Sequence, residues 1–130
     1  MDSGTEEKAW KTIQKKSRFT HAFRGLYVFW KTTLNVKVHL FIGALVVIFG
    51  CYLGISSVEW LAVVLAIGLV FITEALNTAI EIDINLTSPE YHPYARDTKD
   101  VAAGAVLLAT LTAVIIGFIV FLPKILFMLE

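Results

Sequence analysis

Two glutamates and an asparagine stand at helical spacing inside an apolar part of the sequence. Glu74, Asn77 and Glu81 are separated by three and four residues, so on a helix they share one face. Carboxylates within a membrane-spanning segment are costly and indicate a functional site by default. Such a set could bind a divalent cation that accompanies nucleotide phosphates, and one carboxylate could accept a proton from a hydroxyl. The alternative interpretation is structural: the three side chains could hydrogen-bond between helices and fix an oligomer.

A second polar pair, Lys99 and Asp100, lies close to the start of the last apolar run. A lysine there could contact a phosphate as a point charge, and a lysine that only reaches toward the membrane surface would give the same pattern. The sequence contains neither a GxxxxGK[ST] nor a GxGxxG phosphate loop, so any nucleotide site must have another design. His39 and His92 lack metal-ligand spacing to each other, and we interpret both as local hydrogen-bonding groups.

The composition indicates that these groups are held in a membrane. Of 130 residues, 57% are apolar and 17% are charged, whereas soluble domains are about 45–50% apolar and about 25% charged. The mean hydropathy is +0.73. Cys51 is the only cysteine, which excludes an intramolecular disulfide. The formal net charge is zero, which argues against nucleic acid as a partner.

Three long apolar runs predict an all-α integral membrane protein. Crossing a hydrocarbon core of about 30 Å takes about 20 helical residues, and the runs predict spans over residues 38–57, 59–85 and 98–123. The second span includes Glu74 and Glu81, so its last turns must face protein or water.

The segment between the second and third spans predicts a short ordered loop over residues 86–97. Pro89 and Pro93 are four residues apart and cannot both continue a helix smoothly. Asp97 or Thr98 could cap the start of the third helix.

The basic residues predict the orientation of the spans. Eight of the 11 bases precede residue 38, the link around 54–59 has none, and the link before the third span carries Arg96 and Lys99. The basic-residue rule therefore places the N-terminus and the second link in the cytoplasm. Lys124, near the outer end, is a minor exception.

The N-terminal segment predicts an amphipathic helix on the membrane surface, over about residues 8–36. Phe19, Phe23, Leu26 and Trp30 are four, three and four residues apart, which is the spacing of one helix face. Bases between them would suit an anionic leaflet. The alternative is a solvated basic tail.

Several segments of the sequence resemble the prokaryotic diacylglycerol kinase family of small three-span membrane kinases. The resemblance rests on EALNTAIE at 74–81, EYH at 90–92 and ARDTKDVAAGAVLL at 95–108. The SPEYHP loop at 88–93 and the FLPK segment at 121–124 are closer to the undecaprenol kinase branch. The similarity extends from about residue 19 to residue 124.

The resemblance implies an activity and a set of roles. It implies a homotrimer with active sites shared between subunits, which uses ATP and Mg²⁺ to phosphorylate a lipid hydroxyl at the cytoplasmic face of a bacterial inner membrane. By position, Glu74 matches the general base, with Asn77 beside it in the nucleotide and active site. Glu81 matches a metal-binding carboxylate, and Lys99 and Asp100 match nucleotide-contacting positions.

Two positions depart from the family pattern. The family has a second metal-binding glutamate in a KxExN-like stretch of the surface helix, and Thr33 occupies that position here. A neutral hydroxyl is a weaker ligand for Mg²⁺ than a carboxylate. An aspartate expected one turn after Glu81 is Asn85, and Asp83 would point about 160° away from Glu81 on a helix with about 100° per residue.

Three functions therefore remain open from the sequence. The first is a lipid kinase that acts on undecaprenol or diacylglycerol, between which the sequence does not discriminate. The second is a catalytically impaired relative that binds lipid or regulates a partner. The third is a channel or carrier subunit, which only the buried carboxylates favour.

Overall fold

A computed structural model describes residues 3–14, 18–33 and 35–130, and every regular element in those ranges is an α-helix. The chain divides into two compact units, the first ending at Thr32 and the second comprising Thr33–Glu130. The predicted all-α class is confirmed.

The first unit contains two helices, α1 (Ser3–Gln14) and α2 (Arg18–Thr32). The structure thus has two helices in place of the single one expected over 8–36, and residues 15–17 and 34 of that range lie outside the described residues. In α2 no residue is buried, and its apolar stripe is exposed. The Thr32 hydroxyl donates to the carbonyl oxygen of Val28 at 2.8 Å in the last turn. β-branched threonine has modest helix propensity, which fits a helix that ends before Thr33.

The second unit contains three helices that are long and apolar enough to cross a membrane. They are α3 (Asn35–Leu53), α4 (Ser57–Thr87) and α5 (Pro93–Leu129). With 31 and 37 residues, α4 and α5 are longer than the ~20 residues that a span requires.

The turn between α3 and α4 is fixed by local hydrogen bonds. Gly54 has a φ of 60°, and the amide N–H groups of Gly54 and Ile55 donate to the carbonyl oxygens of Cys51 (3.4 Å) and Gly50 (3.2 Å). This is the Schellman arrangement at a helix C-terminus, which favours glycine. It ends α3 at Leu53, four residues before the end expected for the first span.

The next helix begins with a capping box. The Ser56 hydroxyl accepts from the Glu59 amide at 3.3 Å, and the Ser56 amide donates to Glu59 Oε2 at 2.6 Å. The same carboxylate oxygen lies 3.2 Å from Lys124 Nζ on α5. The base that departs from the expected charge pattern therefore has a partner at this end of the bundle.

The loop between α4 and α5 is shorter than expected. It comprises only residues 88–92, because α4 continues to Thr87 and Pro93 is the first residue of α5. Proline suits a first helical position, where its missing N–H would have no intrahelical partner. The expected cap at Asp97 or Thr98 is therefore wrong: His92 is the N-cap, and the Thr98 hydroxyl donates to the Tyr94 carbonyl oxygen at 2.7 Å inside the helix.

The third spanning helix also continues beyond its expected end. Pro123 lies inside α5, which extends to Leu129. The buried core of the second unit is small and consists mainly of valine and alanine between α4 and α5. Its apolar members are Val36, Ile55, Val63, Ala66, Val70, Ala102, Ala109 and Val120. The remaining large apolar side chains are mostly exposed on the isolated chain, as expected for surfaces that face lipid or other subunits.

Candidate active site

The polar face of α4 carries the two buried polar side chains found among the described residues. Glu74 is 3% exposed and Thr78 is 8% exposed. They are one turn apart, with Asn77 and Glu81 on adjacent positions of the same face. Glu74 is the most enclosed of the predicted site residues, and Glu81 is exposed.

Glu74 is paired with a histidine from the preceding helix. Nε2 of His39 on α3 lies 3.0 Å from Oε1 of Glu74. His39 is thus a hydrogen-bonding group, as expected, and its partner lies 35 positions away in the sequence. No spacing in the sequence could have found this contact, because it results from the packing of α3 on α4. The one available signal was a histidine within a predicted span, where polar groups need partners.

Thr33 lies beside the same face of α4. Its hydroxyl oxygen is 2.7 Å from the hydroxyl oxygen of Thr78. Thr78 lies between Glu74 and Glu81 on that face. Thr33, where the resemblance predicts a carboxylate, is therefore hydrogen-bonded to the α4 face that also carries Glu74 and Glu81.

Asn77 and Glu81 form a set of oxygen ligands suitable for a hard cation. Nδ2 of Asn77 donates to Oε1 of Glu81 at 3.0 Å. Oδ1 of Asn77 is buried and has no hydrogen-bond partner among the described residues. Mg²⁺ prefers oxygen ligands and commonly takes only one or two carboxylates, with phosphates and water completing its shell. The residues present thus fit a magnesium ion that arrives with a nucleotide, although the described part of the chain has no cluster of three or more His, Cys, Asp or Glu residues.

Lys99 lies where the C-terminal end of α4 meets the N-terminal end of α5, on the side of the bundle that the charge pattern predicts to be cytoplasmic. Its Nζ donates to Oδ1 of Asn85 at 2.7 Å. Asn85 stands where the resemblance predicts an aspartate, and its amide oxygen accepts a hydrogen bond from the lysine. Asp100 lies 3.5 Å from Arg96 (Asp100 Oδ2 to Arg96 Nε) at the exposed surface of α5.

Three of the predicted site residues line two different cavities within one chain. Lys99 and Asp100 line an open cavity of about 310 Å³ together with residues of the 88–92 loop. Asn77 lines another cavity, of about 500 Å³, between α4 and α5. The chain therefore brings Glu74 to His39, Asn77 to Glu81 and Lys99 to Asn85, as three separate pairs.

A comparison with known protein families identifies the family of this chain. The model of the prokaryotic diacylglycerol kinase family matches residues 20–121. The chain belongs to this family. Membership makes it an enzyme of the lipid kinase class, and the resemblance found in the sequence is confirmed.

Individual relatives agree with the family match. Undecaprenol kinase of Bacillus subtilis is 41% identical over 106 residues, which cover 82% of this chain and 86% of the relative. Diacylglycerol kinase of Synechocystis is 38% identical over 83% of this chain and 62% of its own length. Diacylglycerol kinase of Escherichia coli is 30% identical over 73% of this chain and 78% of its own.

Proposed function

We propose that the chain transfers the γ-phosphate of ATP to the hydroxyl of undecaprenol or diacylglycerol. The observation that carries the proposal is Glu74, a carboxylate that is 3% exposed within a helix long enough to span a membrane. A buried carboxylate in a membrane-spanning helix costs free energy and indicates a functional role. The family match favours the role of general base for a lipid alcohol.

In the proposed reaction, Glu74 accepts the proton of the lipid hydroxyl, and the hydroxyl oxygen attacks the γ-phosphorus of ATP as ADP leaves. Lys99 supplies positive charge to the phosphates, with Asp100 beside it at the nucleotide. Asn77 and Glu81 would hold the magnesium ion, which when bound offsets the charge of the phosphates. Positioning and electrostatics provide most of the rate enhancement in phosphoryl transfer.

The proposed setting is the cytoplasmic face of a bacterial inner membrane. Seven bases precede α3 and Lys37 lies in its first turn, while Arg96 and Lys99 lie in the first two turns of α5, which favours a cytoplasmic N-terminus. The basic residues of the N-terminal segment would also attract anionic lipid headgroups. For the assembly we propose the homotrimer that the family resemblance implies; sites shared between subunits would suit a chain in which Asn77 and Lys99 line separate cavities.

Between the two lipid substrates, similarity favours undecaprenol. The relative named undecaprenol kinase is 41% identical, against 38% for the cyanobacterial diacylglycerol kinase. We therefore expect faster phosphorylation of undecaprenol.

The test is transfer of labelled phosphate from ATP to each lipid by purified protein reconstituted in bilayers. We expect labelled undecaprenyl phosphate that depends on Mg²⁺, and loss of transfer in Glu74→Gln and in Glu81→Gln. Absence of transfer to both lipids from a folded protein would instead support the catalytically impaired reading, which the threonine at position 33 favours. Ion flux through the same liposomes would support a channel.

A further inference from the structure

The contact between His39 and Glu74 joins α3 to α4 through two polar side chains within the spanning region. Nε2 of His39 lies 3.0 Å from Oε1 of Glu74, and the two side chains are 20% and 3% exposed. Two unprotonated atoms with lone pairs repel at this distance, so one proton must lie between them. Either the imidazole donates to a carboxylate, or a carboxylic acid donates to the imidazole.

The surroundings of His39 strengthen this bond. His39 lines a cavity of about 270 Å³ whose other lining residues are almost all apolar. In such low-dielectric surroundings a hydrogen bond to an ionised group is stronger than in water. The bond also occupies one oxygen of a carboxylate that has two.

We propose that His39 is a positioning residue for the general base: its Nε2–H donates to Oε1 of Glu74, fixes the orientation of the carboxylate and leaves Oε2 for the lipid hydroxyl. This inference rests on the proposed function, in which Glu74 is the base. His39 itself would not touch the lipid or ATP. In enzymes that activate a nucleophile with a general base, the base is itself often oriented by a further hydrogen-bonded group. We assign that orienting role to His39.

The first experiment compares the lipid phosphorylation kinetics of variants at position 39 with those of the wild type, once the wild type has been shown to phosphorylate lipid. His39→Leu removes the donor, and we expect kcat per folded protein to fall about 100-fold, as for a catalytic group displaced by about 1 Å, with the KM for ATP nearly unchanged. His39→Gln has its amide nitrogen the same number of bonds from the backbone as Nε2, and we expect it to restore most of kcat.

Val120→Ala is the matched control for stability. Val120 is 4% exposed, packs with Ile55 and Val63 near the opposite end of the bundle, and leaves a cavity when truncated. It should lower the thermal midpoint without lowering kcat per folded protein. If His39→Leu behaves like Val120→Ala, losing only stability, the positioning role is refuted and the histidine merely satisfies a buried carboxylate.

A second experiment needs no catalysis. In protein labelled with ¹⁵N-histidine, the imidazole shifts of His39, assigned by their loss in His39→Gln, should show a protonated Nε2 and should change in Glu74→Gln. An unprotonated Nε2 would overturn the proposal, because Glu74 would then be the donor and could not act as the base. Failure of wild-type protein to phosphorylate either lipid would refute the proposed function instead, a result distinguishable from either outcome here.

Discussion

At the scale of single residues, Thr33 is the position at which the proposed magnesium site departs from the pattern that the family resemblance implies. Its hydroxyl is 2.7 Å from that of Thr78, on the same face as Glu74 and Glu81. A carboxylate introduced at this position would project from a backbone already adjacent to the acidic face. The neutral side chain leaves Glu81 as the charged oxygen donor next to Asn77.

Thr33→Glu is therefore expected to lower the Mg²⁺ concentration that half-saturates lipid phosphorylation. The added ligand should contribute about 1.4 kcal/mol, which corresponds to about tenfold in affinity. A Mg²⁺ titration at saturating ATP measures the effect, and Thr33→Gln, of equal size but neutral, is the control.

A readout independent of activity accompanies that titration. Without metal, the new carboxylate would repel its acidic neighbours, so Mg²⁺ together with a non-hydrolysable ATP analogue should stabilise Thr33→Glu against heat more than it stabilises the wild type. A weaker response to Mg²⁺ in Thr33→Glu would contradict the placement of the ion beside Glu81.

At the scale of helices, Gly50 allows α3 and the start of α4 to approach closely. A Cβ atom at residue 50 would lie 2.8 Å and 3.0 Å from the ring of Trp60 and 3.1 Å from Ile55. A rigid indole ring cannot shift as cheaply as the end of a flexible side chain. The close approach thus depends on the absence of a side chain at this position.

Gly50→Ala is expected to lower the free energy of unfolding by about 1–3 kcal/mol, the range for overpacking, despite the better helix propensity of alanine. Gly68→Ala on α4 is the control, because a Cβ there meets nothing within 4 Å among the described residues. Thermal unfolding in detergent micelles, followed by far-ultraviolet circular dichroism, compares the two. Equal stability of both variants would show that Trp60 can move away.

The three spanning helices follow from the sequence more directly than the residues at which they begin and end. Apolar runs about as long as a bilayer crossing or longer predict α3, α4 and α5, because hydrophobicity over about 20 residues is a local property. The helix ends were less accurate: the turn at Gly54 ended α3 early, and Pro93 began α5 rather than remaining in a loop. These ends depend on which backbone groups find partners.

Site residues on one helix were predictable for the same reason. Glu74, Asn77 and Glu81 share a face by spacing alone, and the hydrogen bond from Asn77 to Glu81 is a contact between residues one turn apart. The contacts of His39 with Glu74 and of Thr33 with Thr78 join residues 35 and 45 positions apart. Such contacts arise where segments distant in the sequence pack together, and sequence periodicity carries no information on that packing.

At the scale of the whole molecule, the isolated chain leaves the candidate site divided. Lys99 and Asp100 line one cavity and Asn77 another, while the outer faces of the three spanning helices remain largely apolar and exposed. Assembly of several copies of the chain with cyclic symmetry would cover part of these faces. It could also bring Lys99 of one subunit close to Glu74 of the next. The proposed trimer with shared sites therefore makes a quantitative prediction.

Glu74→Gln and Lys99→Met are each expected to be inactive alone, yet to restore activity when the two proteins are unfolded, mixed and reassembled together. If each site takes Glu74 from one subunit and Lys99 from its neighbour, an equal mixture in a cyclic oligomer has the wild-type pair at about a quarter of its sites. Phosphorylation of undecaprenol by the mixture should approach that fraction of wild-type activity. The double variant mixed with wild type is the control for reassembly, since it carries both changes in one chain and also leaves a wild-type pair at about a quarter of the sites. Recovery in that control but not in the mixture of single variants would place Glu74 and Lys99 of each site in the same subunit.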